Sequence, residues 1–195
     1  MINILSLKLG RYIVYELCGP VQSCYHVFDS NVRIVTEFDQ IKDNSLGIQQ
    51  DNFERLLKNK TNLFVYFERG VPSGMMWGHI GGCYIRGPGI PLLLDEKSVY
   101  WFWIYTLPQA RGKNIYKKLK TAFFHHYKGY NCFTALVDPC NTFMRCEMSK
   151  IGFIEAKYYF FVKFGSTSVL FERCNVDNKC NLRFEKGNKH DLPFI

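Results

Sequence analysis

One stretch of this chain, residues 99–124 (VYWFWIYTLPQARGKNIYKKLKTAFF), leaves few ways to fold. Residues 99–106 are an unbroken run of mostly aromatic and β-branched side chains, about as long as a buried strand, and Pro108 stops it because proline has no amide to donate. Beyond the proline, Ile115, Leu119, Ala122, Phe123 and His126 recur at helical spacing. Lys117, Lys118 and Lys120 turn away from that stripe, so a helix starts near Lys113 or Asn114. Between strand and helix lie Gln109-Ala110-Arg111-Gly112-Lys113-Asn114. A helix N-terminus presents unpaired backbone N–H groups and a partial positive charge, and here Arg111 and Lys113 add two full charges beside them. That corner suits a phosphate or a pyrophosphate.

The rest of the chain carries similar punctuation. Residues 11–17 (RYIVYEL) read as a strand closed by Cys18-Gly19-Pro20. Thr36 is placed to cap a helix through Asp39, residues 43–47 are loop chemistry, and residues 52–57 form an amphipathic helix. Residues 62–69 (NLFVYFER) are a second strand, which Gly70-Val71-Pro72-Ser73-Gly74 turns into a third over residues 75–85. Gly78, Gly81 and Gly82 inside that third strand signal a bulge or a close backbone approach. A loop with Gly87, Pro88, Gly89 and Pro91 leads to the central strand. Downstream, Cys132–Val137 is a fifth strand, Asn141 opens a second long helix with Met144, Met148 and Ile151 on one face, and Gly152 ends it. Ile154–Phe164 and residues 168–173 are two last antiparallel strands separated by Gly165-Ser166-Thr167. From Asn175 on, the tail is polar, basic and aperiodic, which predicts a packed extension or partial disorder.

With 195 residues and 47% hydrophobic content the chain is long enough for one domain, expected over residues 1–174 with a basic extension over 175–195. A formal charge of +8 favours anionic partners, a nucleotide cofactor, a nucleic acid or a membrane surface, unless the surplus is only a solvated face. Apolar runs such as residues 92–94 and 158–162 fall short of the roughly 20 residues a spanning helix needs. Lys8 and Arg11 stand where a signal peptide would place its apolar stretch, so a cytoplasmic protein without a membrane span is expected. The eight cysteines are scattered, and three pairs share a five-residue gap, wider than the two to four that lets both thiolates reach one zinc ion. They read as free thiols in a reducing compartment, with no metal.

The run PQARGKNIYKKL at 108–119 resembles the cofactor loop of the GNAT superfamily of acyl-CoA N-acyltransferases, Arg/Gln-x-x-Gly-x-Gly/Ala after a strand ending in proline. NTFMRCEMSKIGF at 141–153 is similar to that family's next helix, opening with Asn and closing in Lys-x-Gly-Phe, and the order of elements agrees over roughly residues 11–173. The fold this implies is α+β (mixed α/β), a central, mostly antiparallel mixed sheet flanked by helices. Two residues depart from the pattern, Asn114 at the second loop glycine and Tyr116 at the third small position. Asparagine tolerates the left-handed conformation, so the first change is mild. A tyrosine must point elsewhere or crowd the ligand.

What the resemblance implies is transfer of an acyl group from acetyl-CoA, or another acyl-CoA, to a primary amine. The pantetheine arm would lie beside the central strand on backbone groups of Ile104, Tyr105 and Thr106. The pyrophosphate would sit on amides of Arg111, Gly112, Lys113, Asn114, Ile115 and Tyr116, and Asn141 would lie near the pantetheine and the sulfur. A backbone N–H on that strand would serve the oxyanion. The family's usual proton donor, a tyrosine four residues before Gly-Phe, is here Met148, which cannot donate. Tyr105, Tyr116, Tyr158 and Tyr159 are replacements to weigh, each against a plain core role. Glu68 and His79 are the bases to weigh, His79 against the role of a satisfied strand histidine, while His125 and His126 read as structural. Trp101 and Trp103, two residues apart, fall on one strand face, either as core or as the lining of a pocket for a small amine acceptor such as an amino sugar or a sugar nucleotide. A catalytically silent module that binds CoA or a partner is the alternative, and a homodimer is compatible with either. A basic nucleic-acid-binding protein ranks last, since no known nucleic-acid-binding motif accompanies the charge.

Overall fold

The computed structural model describes residues 7–19, 29–41, 43, 45–85, 89–164, 167–175, 180–186 and 192–195. In chain order the elements are β1 (Leu7–Cys18), β2 (Val32–Val35), a 3-10 turn (Phe38–Ile41), α1 (Gln50–Leu57), β3 (Thr61–Glu68), β4 (Val71–Ile80), β5 (Cys83–Ile85) and β6 (Ile90–Leu92). There follow β7 (Ser98–Thr106), a 3-10 turn (Pro108–Ala110), α2 (Ile115–His126), β8 (Cys132–Val137), α3 (Thr142–Ile151), β9 (Ile154–Phe164), β10 (Thr167–Cys174) and β11 (Cys180–Lys186). The fold is mixed α+β. The chain divides into two compact units, one of Met1–Cys18, Gly81–Glu96 and Cys132–Ile195, the other of Gly19–Ile80 and Lys97–Asn131.

The second unit holds strands in the order β7-β4-β3-β2, each pairing antiparallel. Its β3–β4 hairpin turns on Arg69 and Gly70, both at positive φ, the pattern of a tight two-residue turn whose twist matches the strands. Residues 71–74, expected as a turn, are therefore already in β4, because two residues suffice to reverse the chain. Alternation along β4 sends Trp77 towards Phe53 of α1, with ring centroids 6.2 Å apart, while Gly74 and Gly78 underlie α2. A Cβ on Gly78 would come within 2.6 Å of the Phe123 ring and 2.8 Å of the Tyr127 ring. The close approach expected at this glycine is what seats α2. Tyr127 fixes that seat by donating its hydroxyl hydrogen to the Gly78 carbonyl at 3.2 Å and accepting from Asn62 Nδ2 at 2.8 Å.

The first unit holds β11-β10-β9-β1-β8, again with antiparallel pairings. Val14, Ile90, Tyr159, Phe161 and Leu170 form its buried cluster, so the β5–β6 hairpin is tied to the sheet through Ile90.

Several expectations are corrected. The helix that Thr36 was expected to cap is only a single 3-10 turn, Phe38–Ile41, and the residues before it, Val32–Val35, pair with β3 as a short strand, β2. The strand expected over 75–85 ends at Ile80, where Gly81 takes φ 82, and residues 83–85 pair instead with β6. The tail contributes a strand, β11, along β10, and its last residues reach β5, with Tyr84 N–H bonded to the Pro193 carbonyl at 2.9 Å. Cys18 and Cys132 are not free thiols but a disulfide. They are directly opposite one another in the β1–β8 register, which a sequence separation of 114 residues hides from any reading of local spacing. Cys83, Cys140, Cys146 and Cys174 are thiols outside any disulfide. The expectations at Pro20, Cys24, Asn44, Gly87, Pro88, Gly165 and Ser166, and for the side chain of Cys180, fall outside the described residues.

Candidate functional site

The strand–loop–helix corner forms as its residues dictate. β7 ends at Thr106, Leu107 N–H bonds to the Ser73 carbonyl at 3.0 Å, and Pro108 opens a 3-10 turn through Ala110. Gly112 (φ 79) and Asn114 (φ 59) then both take the left-handed region, which glycine occupies freely and asparagine tolerates better than other residues. From this approach Asn114 makes no side-chain hydrogen bond to the first turn of α2, and the first helical bond runs from Lys118 N–H to the Asn114 carbonyl at 3.2 Å. The amides of Ile115, Tyr116 and Lys117 thus precede the helical ladder and have no side-chain cap from Asn114. Arg111 and Lys113 are exposed beside them, and a Cβ on Gly112 would meet no atom within 4 Å, so the loop is open on that side. These features fit an anion.

Tyr116 does not sit over that opening. Its ring stacks on Trp101 of β7, centroids 6.2 Å apart at 16°, and Lys120 Nζ stands 5.4 Å from its centroid. The bulky residue at the small position is thus accommodated by turning onto the sheet.

The β7 ladder breaks at one place. Trp77 pairs with Phe102 and Met75 with Tyr105, so the single Met76 of β4 opposes both Trp103 and Ile104. This is a β-bulge, which leaves an extra residue out of the ladder and re-aims side chains. Trp103 takes φ 47, and its ring swings to stack on Trp77, centroids 6.4 Å apart at 21°. Trp101 meanwhile is buried under Phe123 and Phe124 of α2. The two tryptophans expected on one face are on opposite faces, because the bulge inserts a residue into the alternation.

No family model matches the chain, and no curated protein does. Solved structures do. A GNAT-family protein from Novosphingobium aromaticivorans superposes with a TM-score of 0.54 at 12% identity, over 77% of this chain and 62% of that one. A tandem GNAT protein from the clavulanic acid biosynthesis pathway gives 0.54 at 11% over 81% and 54%, and a GNAT-family acetyltransferase from Colwellia psychrerythraea gives 0.50 at 15% over 82% and 56%. The fold is that of the GNAT superfamily. The chain spans 62% of the length of the first of these and less of the other two.

Within this GNAT-like fold the expected site residues are distributed unevenly. Ile104, Tyr105 and Thr106 follow the bulge on β7 and are half-buried, in the same unit as the loop from Arg111 to Tyr116. Asn141 is exposed at the start of α3, where its Oδ1 accepts the Met144 N–H at 3.1 Å. His79 is buried, with Nδ1 2.9 Å from the Thr61 hydroxyl oxygen. Glu68 accepts from Lys113 Nζ at 2.6 and 2.8 Å through its two carboxylate oxygens, so it belongs to the loop's surroundings. Met148, where the resemblance would place a tyrosine, is fully buried. Tyr158 and Tyr159 lie on β9 in the other unit, and Tyr158 donates to Glu155. His126 packs its ring on Phe64 and Tyr127, and burial followed by the neighbouring His125 holds its pKa below the usual value. The bulge is the feature of this candidate site that the sequence does not reveal, since no glycine or proline marks it on β7.

Proposed function

We propose that this chain is an N-acyltransferase that moves an acyl group, acetyl in the simplest case, from acyl-CoA directly to a primary amine. The observation that supports the reading best is the open mouth of α2, where Gly112 and Asn114 at positive φ lead into a first turn that Asn114 leaves uncapped. On this reading Arg111, Gly112, Lys113, Asn114, Ile115 and Tyr116 hold the diphosphate, mainly through main-chain N–H groups. Ile104, Tyr105 and Thr106 offer main-chain hydrogen bonds to the pantetheine arm. Acyl-CoA supplies an activated thioester carbonyl when bound. The chain's own contributions are to position the amine, to point a main-chain N–H of the bulge at the developing oxyanion, and to move protons. Among the side chains proposed for proton transfer, Glu68 is engaged by Lys113 and His79 is closed off by burial, so Tyr105 carries the assignment as proton donor.

The acceptor is proposed to be a small amine, an amino sugar or an amine-bearing sugar nucleotide. The setting is proposed to be cytoplasmic. Among the described residues no helix is long and apolar enough to cross a membrane. The Cys18–Cys132 disulfide favours an oxidising setting instead, and alkylation of thiols in intact cells before lysis, with Cys18 and Cys132 either labelled or protected, decides between them.

Calorimetric titration with acetyl-CoA tests the reading. Binding in the micromolar to millimolar range, a matching rise in melting temperature, and loss of both in Arg111→Glu are expected. An unchanged affinity in Arg111→Glu would remove its basis. Met148 favours a second reading, a catalytically silent CoA-binding module, because the buried thioether stands where the family carries its proton donor. Thiol release on a panel of amines supports the enzyme, and binding without release supports the silent module.

A further inference from the structure

Trp103 is the least explained large side chain of the second unit. Its residue is 48% exposed although the ring is apolar, and its backbone takes φ 47, a region that bulky residues rarely enter unless their surroundings hold them there. What holds it is a stack of rings. The inner face of Trp103 lies on Trp77, which is fully buried. Trp77 is itself stacked on Phe102 at 6.3 Å and braced edge-on by Phe53 at 6.2 Å, and Phe102 stacks on Tyr100 at 5.1 Å and 4°. The plate is therefore rigid on one side and uncovered on the other. It also sits at the bulge, one residue before Ile104, where the proposed acyl transfer would take place.

We infer that the exposed face of Trp103 is the surface on which the acyl acceptor lies, and that it selects amines carried on a flat ring or a sugar ring over linear amines. This rests on the acyl-transfer reading and adds the feature of the acceptor that the chain recognises. A fixed indole face gains from a second face laid parallel to it, whether an aromatic π-face or the C–H face of a pyranose, at little entropic cost because the plate is already ordered. A flexible polyamine offers no such face. The left-handed backbone is what aims the ring, since regular alternation would have sent the residue to the α2 side with Trp101.

Calorimetric titration of the wild type, Trp103→Gly and Trp103→Phe with acetyl-CoA, glucosamine, tryptamine and spermidine tests this. Glycine is the informative replacement because φ 47 costs it nothing, so the bulge survives the loss of the ring. The expected result is that at least one of glucosamine and tryptamine binds the wild type and weakens about tenfold or more in Trp103→Gly. Trp103→Phe should recover most of that loss, with acetyl-CoA unchanged and spermidine either unchanged or not bound. The arm that responds, glucosamine or tryptamine, tells a sugar ring from an aromatic one. The proposal is overturned if neither ring amine binds, if Trp103→Gly leaves their binding intact, or if spermidine or acetyl-CoA weakens equally. It is also overturned if the substitution dissociates a dimer, which would make the plate an interface between copies. Ring-amine binding that depends on Trp103 in a chain indifferent to acetyl-CoA would keep Trp103 as a ring-binding plate and overturn both acyl transfer and the amine's role as acyl acceptor.

Discussion

Two helices of this chain begin on an asparagine, and they begin in opposite ways. Asn141 has φ −82, and its Oδ1 closes the mouth of α3 by accepting the Met144 N–H. Asn114 has φ 59, and its side chain leaves the mouth of α2 uncapped. The far ends differ too. α3 stops on Gly152 at φ 99 with Phe153 N–H returning to the Met148 carbonyl at 3.0 Å, whereas α2 ends on Tyr127 without a positive-φ cap. Burial accounts for the contrast. α2 sinks Ile115, Leu119, Thr121, Ala122, Phe123 and Phe124 into its unit, while Met148 is the one buried residue of α3. A helix anchored by packing can leave its first amides for a ligand, and a helix lying on the surface has to close its own ends.

The comparison breaks first at the packing. Phe123→Ala removes a fully buried ring that meets Phe64, Trp101, Phe124 and Tyr127. A loss of about 3–5 kcal/mol in denaturant unfolding is expected. Phe143→Ala, on the exposed side of α3, should cost under about 0.5 kcal/mol, and a comparable cost at both sites would refute the division between a packed and a capped helix.

What α3 lacks in burial it recovers through polar bonds to its neighbours. Arg145 of α3 donates to Glu155 Oε1 at 3.1 Å, and Tyr15 and Tyr158 both donate to the same carboxylate. Burial alone would push the Glu155 pKa up, but hydrogen bonds from Tyr15, Tyr158 and Arg145 outweigh it and hold the carboxyl below its ordinary value. A carboxylate depressed on folding contributes stability above its unfolded pKa, about 4.3, and loses it as pH falls through the folded value. Glu155→Gln should therefore lower stability by about 1–2 kcal/mol near pH 7. That gap should close as the pH drops below about 4. Melting curves from pH 3 to 7 measure it, and a gap independent of pH would mean the carboxylate's charge is not what matters.

The caps come next. Asn141→Ala should cost about 1 kcal/mol, because an amide of α3 loses its acceptor. Asn114→Gly removes a side chain that caps nothing and relieves a left-handed residue, so stability should hold within about 0.5 kcal/mol or rise. Equal losses at the two asparagines, read from chemical denaturation, would show that the mouth of α2 is closed after all.

Much of this contrast is legible in the sequence, and its limits are physical. Asn141 and Gly152 mark the ends of α3 because cap chemistry is local, and Asn114 after Gly112 marks a left-handed approach for the same reason. Cys132–Val137 and Ile154–Phe164 are readable as strands from β-branched and aromatic density. The bulge at Trp103 is not readable, because WFWIY looks like an uninterrupted strand and the extra residue is set by the register against Met76, a partner far off in the chain. The Cys18–Cys132 pairing escapes for the same reason. The inward turn of Tyr116 is likewise decided by Trp101, and the burial of His79 beside Thr61 depends on a strand pairing that local sequence does not show.

The smallest expected effect concerns the charge beside the open mouth. Lys113 is one of two cations that sequence places there, yet both oxygens of Glu68 hold its ammonium, so the loop presents less positive charge than its composition suggests. The pair is exposed, 49% on the lysine side chain and 34% on the glutamate, and pairs of that kind are worth about 0.2–1 kcal/mol. Glu68→Gln keeps the shape and releases Lys113. If α2 binds a diphosphate at its mouth, acetyl-CoA should bind about two- to fivefold more tightly in this variant. The gain should fade as salt rises from about 0.05 to 0.5 M, since exposed charges are screened over a few ångströms at the upper end. Weaker binding in Glu68→Gln would instead place the carboxylate in contact with the acceptor or the cofactor, and would return it to the set of groups that move protons.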